Sequence, residues 1–270
     1  MSTLAVARKD FLDVRRAKIV WFVGGIYALF MVLLFYFGQR NVSNPQVESQ
    51  LGAMMGIGAL IIPLIALVAA YLAIAGERES GSIKYLLSIP NNRRDVVLGK
   101  FLSRAAIVTA AILVAFALGV AMALAWYPSL EAELFARVAA LTVLYALTYV
   151  AVAIGISAAT GSRSRAMGGA IGFFFVTNVL TLLPVFENAI SYVLADLLGM
   201  EVTAEGMSFV QAVVSPTIAY TYSMRLAFPD VGMPTDAWYL EGEVMLVILF
   251  AWVLVPVLAG LWRFQRVDLG

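Results

Sequence analysis

The chain has no cysteine and no histidine among its 270 residues. No disulfide framework can form, so no redox compartment can be read from it. Zinc, haem, copper and iron–sulfur sites draw on Cys or His ligands, so no metal site and no cofactor is expected. The Ser-His and Cys-His nucleophile pairs are excluded as well. Charge is scarce too: Asp, Glu, Lys and Arg supply 13% of the chain, against 62% apolar residues. No Gly-x4-Gly-Lys-Ser/Thr phosphate loop occurs, because Gly99-Lys100 lacks both the earlier glycine and the following hydroxyl. ATP binding in the usual manner is therefore not expected of this chain. The net charge of +1 says nothing by itself, because the distribution matters more, and no nucleic-acid partner is expected.

What the chain has is long apolar runs. Six spans are expected, at about 19–38, 51–75, 104–127, 138–160, 166–186 and 244–262. Each is about the length that crosses a hydrocarbon core. Without water, each must satisfy its own backbone as an α-helix. The expected fold is an all-α integral membrane protein, one transmembrane domain over 1–270. Pro63, Pro184 and Pro256 fall inside or near the ends of spans and are expected to kink them. The charged first 18 residues and the long run after them predict no cleavable signal peptide.

Basic residues sort by loop. Segments 1–18, 76–104, 161–166 and 263–270 hold 15 of the 18 Lys and Arg residues and six of the 17 acidic ones. Lys and Arg gather on the cytoplasmic side. Six spans place all these segments there, with both termini, in the cell membrane. The largest opposite loop, 187–243, is acidic and external. Within it, Ile190, Val193, Leu194, Leu197 and Leu198 recur at i, i+3, i+4, i+7 and i+8, one face of an amphipathic helix on the outer surface. Segment 206–228 is nearly long enough for a seventh span, but Pro216 divides it and Gln211 and Arg225 lie within it. Two short external or half-inserted helices are expected instead.

Eight charges crowd into GERESGSIKYLLSIPNNRRDVVLGK, residues 76–100, between the second and third spans. Glu77, Arg78 and Glu79 close a long helix. Gly81 permits backbone angles that other residues resist, so the chain can turn there. Ile83, Leu86 and Leu87 have helical spacing, and Pro90 ends that short element. Asn92 and Asp95 resemble a capping box that opens the next helix. A short rigid apolar element with a basic rim suits docking to a partner; a solvated loop whose Arg residues only fix topology is the alternative reading.

Residues 70–102, AYLAIAGERESGSIKYLLSIPNNRRDVVLGKFL, resemble the signature region of ABC-2-type ABC transporter permeases. The pattern is closest to the branch of the nitrous-oxide-reductase maturation transporter permease. The shared layout is an apolar helix, GERE-x-G, a short Leu-rich helix, a proline, a basic patch and GK. The resemblance implies a coupling helix at 83–90 that docks in a separate ATP-binding subunit, with Glu77, Arg78, Glu79 and Gly81 as its turn and Arg93 and Arg94 as its basic edge. It implies an interfacial helix near the N-terminus, where Leu4, Ala7, Phe11 and Val14 form a stripe and Arg8, Arg15 and Arg16 supply charge. A second permease copy and outward transport are implied as well.

Residue chemistry leans the same way. An ion-driven carrier or channel, the alternative reading, needs an ionisable group inside its spans, and here every charge falls in loops or at helix ends. A membrane enzyme needs a catalytic constellation, and none stands out. Polar residues within spans include Tyr145, Tyr149, Thr177, Asn178 and Thr181, which can line a path or bond between helices. Asn178 is the most expensive of these to bury. Gly52-x3-Gly56 and Gly168-x3-Gly172 allow close helix approach.

Overall fold

The computed structural model describes residues 3–15, 18–41, 45–88, 92–200, 203–229 and 237–267, with side chains except at 14–23, 41 and 86–88. The expected roles of Arg16 and Pro90, and of the side chains of Val14, Arg15, Leu86 and Leu87, fall outside the described residues. No strand occurs among the described residues. The helices are α1 (Thr3–Arg15), α2 (Lys18–Asn41), α3 (Val47–Ala70), α4 (Ala75–Glu79), α5 (Ile83–Ser88), α6 (Arg93–Trp126), α7 (Ala132–Ala159), α8 (Arg163–Asn178), α9 (Pro184–Ser191), α10 (Ala204–Val214), α11 (Pro216–Ser223) and α12 (Gly242–Gln265).

Among the described residues, five runs are long and apolar enough to cross a membrane: Val47–Glu79, Arg93–Trp126, Ala132–Ala159, Arg163–Leu182 and Gly242–Gln265. The described side chains of α2 add an apolar helix over Gly24–Arg40. At 34 residues, α6 is ~50 Å long at ~1.5 Å per residue, well beyond a ~30 Å hydrocarbon core. Its first turns therefore stand clear at the end that also carries α1, α4 and α5, here called the basic end.

The central helix is α7, enclosed by α3, α6, α8, α11 and α12. Its closest neighbour is α12, and the contact depends on two glycines. A Cβ on Gly260 would lie 2.6 Å from the Gly155 Cα. One on Gly155 would lie 2.9 Å from the Pro256 carbonyl carbon. The glycine pairs singled out in the sequence do something else: Gly52, Gly56, Gly168 and Gly172 have nothing within 4 Å of an added Cβ.

Three sequence expectations are refined, and the expected division of 206–228 at Pro216 is seen. The fifth run is shorter than expected: α8 ends at Asn178, a 3-10 turn covers Leu180–Leu182, and Pro184 opens α9. Segment 206–228 breaks at Ser215 and Pro216 into helices of 11 and 8 residues, each too short to span. The amphipathic period over 190–198 does not persist, because α9 stops at Ser191 and Tyr192–Leu197 forms a π-helical turn. Its i→i+5 bonding changes the spacing on which a 3.6-residue face depends. Lastly, α1 does not pack through the Leu4 stripe. Val6 and Asp10 face the protein at 3% and 7% exposure, while Leu4 is 71% exposed.

Candidate functional site

The turn 76–81 is a bracket that ties the end of α4 to three other helices. Glu77 Oε1 accepts from Lys100 Nζ of α6 at 2.8 Å. Arg78 Nη1 donates to the Ala158 and Thr160 carbonyls at the end of α7, at 3.3 and 2.6 Å. Glu79 Oε2 accepts from the Arg163 amide that opens α8, at 2.5 Å. Each charge sits where a helix terminus or an opposite charge favours it. The break between α3 and α4 is repaired by Ser157 of α7, whose Oγ accepts from the Ile74 and Ala75 amides at 3.0 and 2.9 Å. Gly81 has φ +74°, the left-handed conformation its sequence context asked of it.

The first helix α1 is part of the same bracket. Lys100, 2% exposed, donates to Asp10 Oδ1 at 2.8 Å. Arg104 Nε lies 3.1 Å from Asp10 Oδ2, and its Nη1 donates to the Ala69 carbonyl at 2.9 Å. Burial alone would push the Asp10 carboxyl up. The Lys100 ammonium and then the Arg104 guanidinium outweigh burial and hold it below its ordinary value. The neighbouring Gly99 makes this docking possible: a Cβ there would meet Val6 Cβ at 2.8 Å and the Thr3 carbonyl at 2.9 Å. Thr3 Oγ1 also donates to Asp95 Oδ1 at 2.6 Å, and Asp95 Oδ2 accepts from the Asn92 amide at 3.1 Å. The Thr3 bond is the leading cause that holds the Asp95 carboxyl low.

The residues of 83–94 take different roles. Ile83 turns inward at 2% exposure, whereas Tyr85 turns outward at 80%. Arg93 closes the end of α12, its Nη1 donating to the Phe264, Gln265 and Val267 carbonyls at 2.6, 3.1 and 2.6 Å. Arg94 is exposed, as is Arg8 on α1. Phe11 is half-buried.

The five intramembrane polar candidates come together in a second cluster. Tyr145 OH lies 2.8 Å from the Ala59 carbonyl of α3 and 2.7 Å from Thr217 Oγ1 of α11. Tyr149 OH lies 2.7 Å from the same Thr217 Oγ1 and accepts from Asn178 Nδ2 at 3.0 Å. Thr217 donates to Asn178 Oδ1. The Thr177 carbonyl accepts from Ser215 Oγ at 2.5 Å, and the Thr181 carbonyl accepts from Gln211 Nε2 at 3.2 Å. Tyr220 stacks on Tyr145 with ring centroids 4.1 Å apart and planes 6° from parallel. Thus α11 lies deep against the middle of α7, held by neutral groups alone.

Comparison with known proteins agrees with the motif. The sequence profile of the ABC-2 family transporter proteins matches residues 4–269. The chain belongs to the ABC-2 family. With its apolar helices, this makes it a multi-pass membrane protein. A protein named probable ABC transporter permease protein NosY, from Pseudomonas aeruginosa, is 32% identical over 180 residues, 63% of this chain and 66% of that protein. A protein of the same name from Stutzerimonas stutzeri is 26% identical over 178 residues, 63% of this chain and 64% of that protein. The matched stretches thus span just under two thirds of these relatives' own length.

Sequence reasoning missed Asp10 and the bracket roles of Ser157 and Arg163, and missed Ser215, Thr217 and Tyr220 in the interior. The Asp10–Lys100 pair joins residues 90 apart, and no local period signals such a pair. The ABC-2 motif did contain Lys100, as the second letter of GK, without its reason.

Proposed function

We propose that this chain is the membrane subunit of an ATP-driven ABC transporter, with ATP bound and hydrolysed by a separate subunit docked on α5. The carrying observation is the bracket: Glu77, Arg78 and Glu79 join the turn before α5 to α6, α7 and α8. A push on α5 then reaches several spans at once. Full charges without a fuel site in the same chain fit a part driven from outside. The exposed Tyr85, the Leu86–Leu87 pair and Arg94 are read as the docking face, with Ile83 as its inward anchor and Arg93 as a brace to α12.

The basic end is assigned to the cytoplasm from its share of Lys and Arg, which puts both termini there and 187–243 outside. Transport is taken as outward by family analogy. A second copy is read against α8, whose Gly168 and Gly172 face open space. The interior polar residues are read as helix contacts, because Tyr145, Tyr149 and Asn178 bond one another and Thr217 of α11.

Co-purification tests the coupling reading. Leu86→Ala with Leu87→Ala should leave an inserted protein and release the ATPase on detergent extraction. A buried interface anchor is worth ~2 kcal/mol or more, roughly a thirtyfold loss of affinity. Full ATPase retention with full transport overturns the reading. Orientation is checked separately: Leu130→Cys should be labelled from outside and Ser164→Cys only after the membrane is opened.

A further inference from the structure

Among the described residues, five buried side-chain polar atoms have no hydrogen-bond partner: Asp10 Oδ2, Glu77 Oε2, Ser103 Oγ, Arg104 Nε and Tyr27 OH. Buried polar groups are as a rule paired, so each exception calls for a reason. Tyr27 lies elsewhere, against Gly58 of α3. The other four belong to one place, the joint where α1 meets α4 and α6. Asp10 and Glu77 both bind the Lys100 ammonium, each through one carboxyl oxygen at 2.8 Å, which leaves over the second oxygen of each. Ser103, one turn after Lys100 on α6, is 2% exposed. It stands beside the Asp10 carboxyl without closing a bond to it. Arg104 spends Nη1 on the Ala69 carbonyl and Nη2 on Asp10 Oδ1. Its Nε lies 3.1 Å from Asp10 Oδ2, yet lacks the alignment a hydrogen bond needs.

The leftover set has a definite chemistry. Two atoms are acceptors, the second carboxyl oxygens of Asp10 and Glu77. One is a donor, the Arg104 Nε–H. The Ser103 hydroxyl can be either. Formal charge is balanced around them, with Asp10 and Glu77 against Lys100 and Arg104. An added cation would meet Lys100 and Arg104 at close range, and an added anion would meet the two carboxyl groups. The occupant that fits is small and neutral, and it gives two hydrogen bonds while accepting two. Buried water is held in this way, typically through about three hydrogen bonds to groups that are otherwise unpaired. The Glu77 side chain, 35% exposed, gives it a way in from solvent.

We propose that Asp10, Glu77, Ser103 and Arg104 bind one water molecule as a structural member of the joint between α1, α4 and α6. It donates to Asp10 Oδ2 and Glu77 Oε2 and accepts from Arg104 Nε and Ser103 Oγ. Among the described residues, Lys100 is the side chain that bridges α1 and α4; the water is a second bridge between them. It sits beside the break that separates α3 from α4, where Arg104 holds the Ala69 carbonyl. Its bonds exchange with solvent through the Glu77 side, so α4 is tied to α1 without being locked to it. The site is independent of the ATPase reading, and its test needs no transport.

The test is high-resolution density for the full chain in a lipid nanodisc, with unfolding in detergent as a second measurement. The density should show one peak at ~2.7–3.2 Å from at least three of the four atoms. No peak there, or direct bonds from Arg104 Nε and Ser103 Oγ to the carboxyl oxygens, overturns the site. A peak at ~2.3–2.6 Å from the oxygens is a bound metal cation and overturns it as well. Ser103→Ala removes one of the water's partners with almost no change of volume. It should raise the unfolding equilibrium constant about fivefold, the loss of one hydrogen bond of ~1 kcal/mol. A buried hydroxyl that bonds nothing is a cost to the fold, so an unchanged or lowered constant in Ser103→Ala overturns the proposal.

Discussion

The bracket at the basic end and the cluster in the middle of α7 do the same mechanical work with different chemistry. The bracket uses the acidic and basic side chains of Asp10, Glu77, Glu79, Lys100 and Arg104, with Lys100 and Asp10 nearly sealed from solvent. The interior cluster uses hydroxyls and one amide, on Tyr145, Tyr149, Thr217 and Asn178. The difference follows from distance to water. A charge near a helix end needs only partial desolvation and can find a partner that crosses the same interface. A charge in the hydrocarbon middle costs several kcal/mol more, so neutral donors and acceptors are used there. Strong ties thus sit where α1 and the turn before α5 meet the spans. Weaker ties hold the short inserted helix α11.

Substitutions can break this contrast. The largest effect is expected from Lys100→Ala, which leaves the buried Asp10 and the half-buried Glu77 without their shared cation. Removing one member of a buried ion pair costs ~3–5 kcal/mol, read as a lowered unfolding temperature in detergent. A change below ~1 kcal/mol would show the bracket to be loose. Next is Gly99→Val, which forces the backbone at Thr3 and the Val6 side chain away. Overpacking of this kind costs ~1–3 kcal/mol, and protease access to α1 should rise with it. Asn178→Leu should cost less, ~1–2 kcal/mol, near the upper range of polar contacts between membrane helices. An effect as large as that of Lys100→Ala would erase the contrast.

The smallest effect separates the two regions by pH. The Asp10 carboxyl is held below its ordinary value of ~3.9, with burial opposed by Lys100 and Arg104. A lowered folded-state value means that the stabilisation is present above the unfolded carboxylate value and is lost as pH falls through the folded one. Stability should therefore be level from pH 5 to 8 and decline below about pH 4. Lys100→Ala should shrink or abolish this acid decline, because burial then pushes the Asp10 carboxyl up with the largest lowering influence gone. Asn178→Leu should leave the decline as it is, since the interior cluster has no carboxylate. An equal acid decline in all three proteins would show that Asp10 is not held by Lys100.

Much of the molecule was legible in the sequence. Apolar run lengths place α3, α7, α12 and the end of α6 to within a few residues, because crossing a membrane demands a minimum number of apolar residues, whereas α6 starts at Arg93, well before the expected 104. The break at Pro216 was visible because proline lacks an amide proton and cannot continue the helix before it. Gly81 was visible because the turn there requires a positive φ. The polar set Tyr145, Tyr149, Thr177, Asn178 and Thr181 was visible as exceptions in apolar runs. Less visible was the packing face of α1. Leu4, Ala7 and Phe11 form the stripe that apolarity marks, yet the helix docks through Val6 and Asp10. Hydropathy cannot choose a face whose central contact is an ion pair.

The sequence by itself determined that the chain crosses membranes as helices, roughly where those helices lie, and that residues 76–100 hold a short separate element. Local rules suffice for those features, since hydropathy, glycine and proline act over a few residues. Only the tertiary structure decided which helix each charge of GERE would hold. It also decided that α11 would enter beside Tyr145, and that Gly155 and Gly260, instead of the two glycine pairs spaced for contact, would carry the closest crossing. Those outcomes rest on partners tens of residues apart, such as Asp10 with Lys100 and Tyr149 with Thr217. Such pairs depend on which helices come to lie side by side, and no local pattern records that.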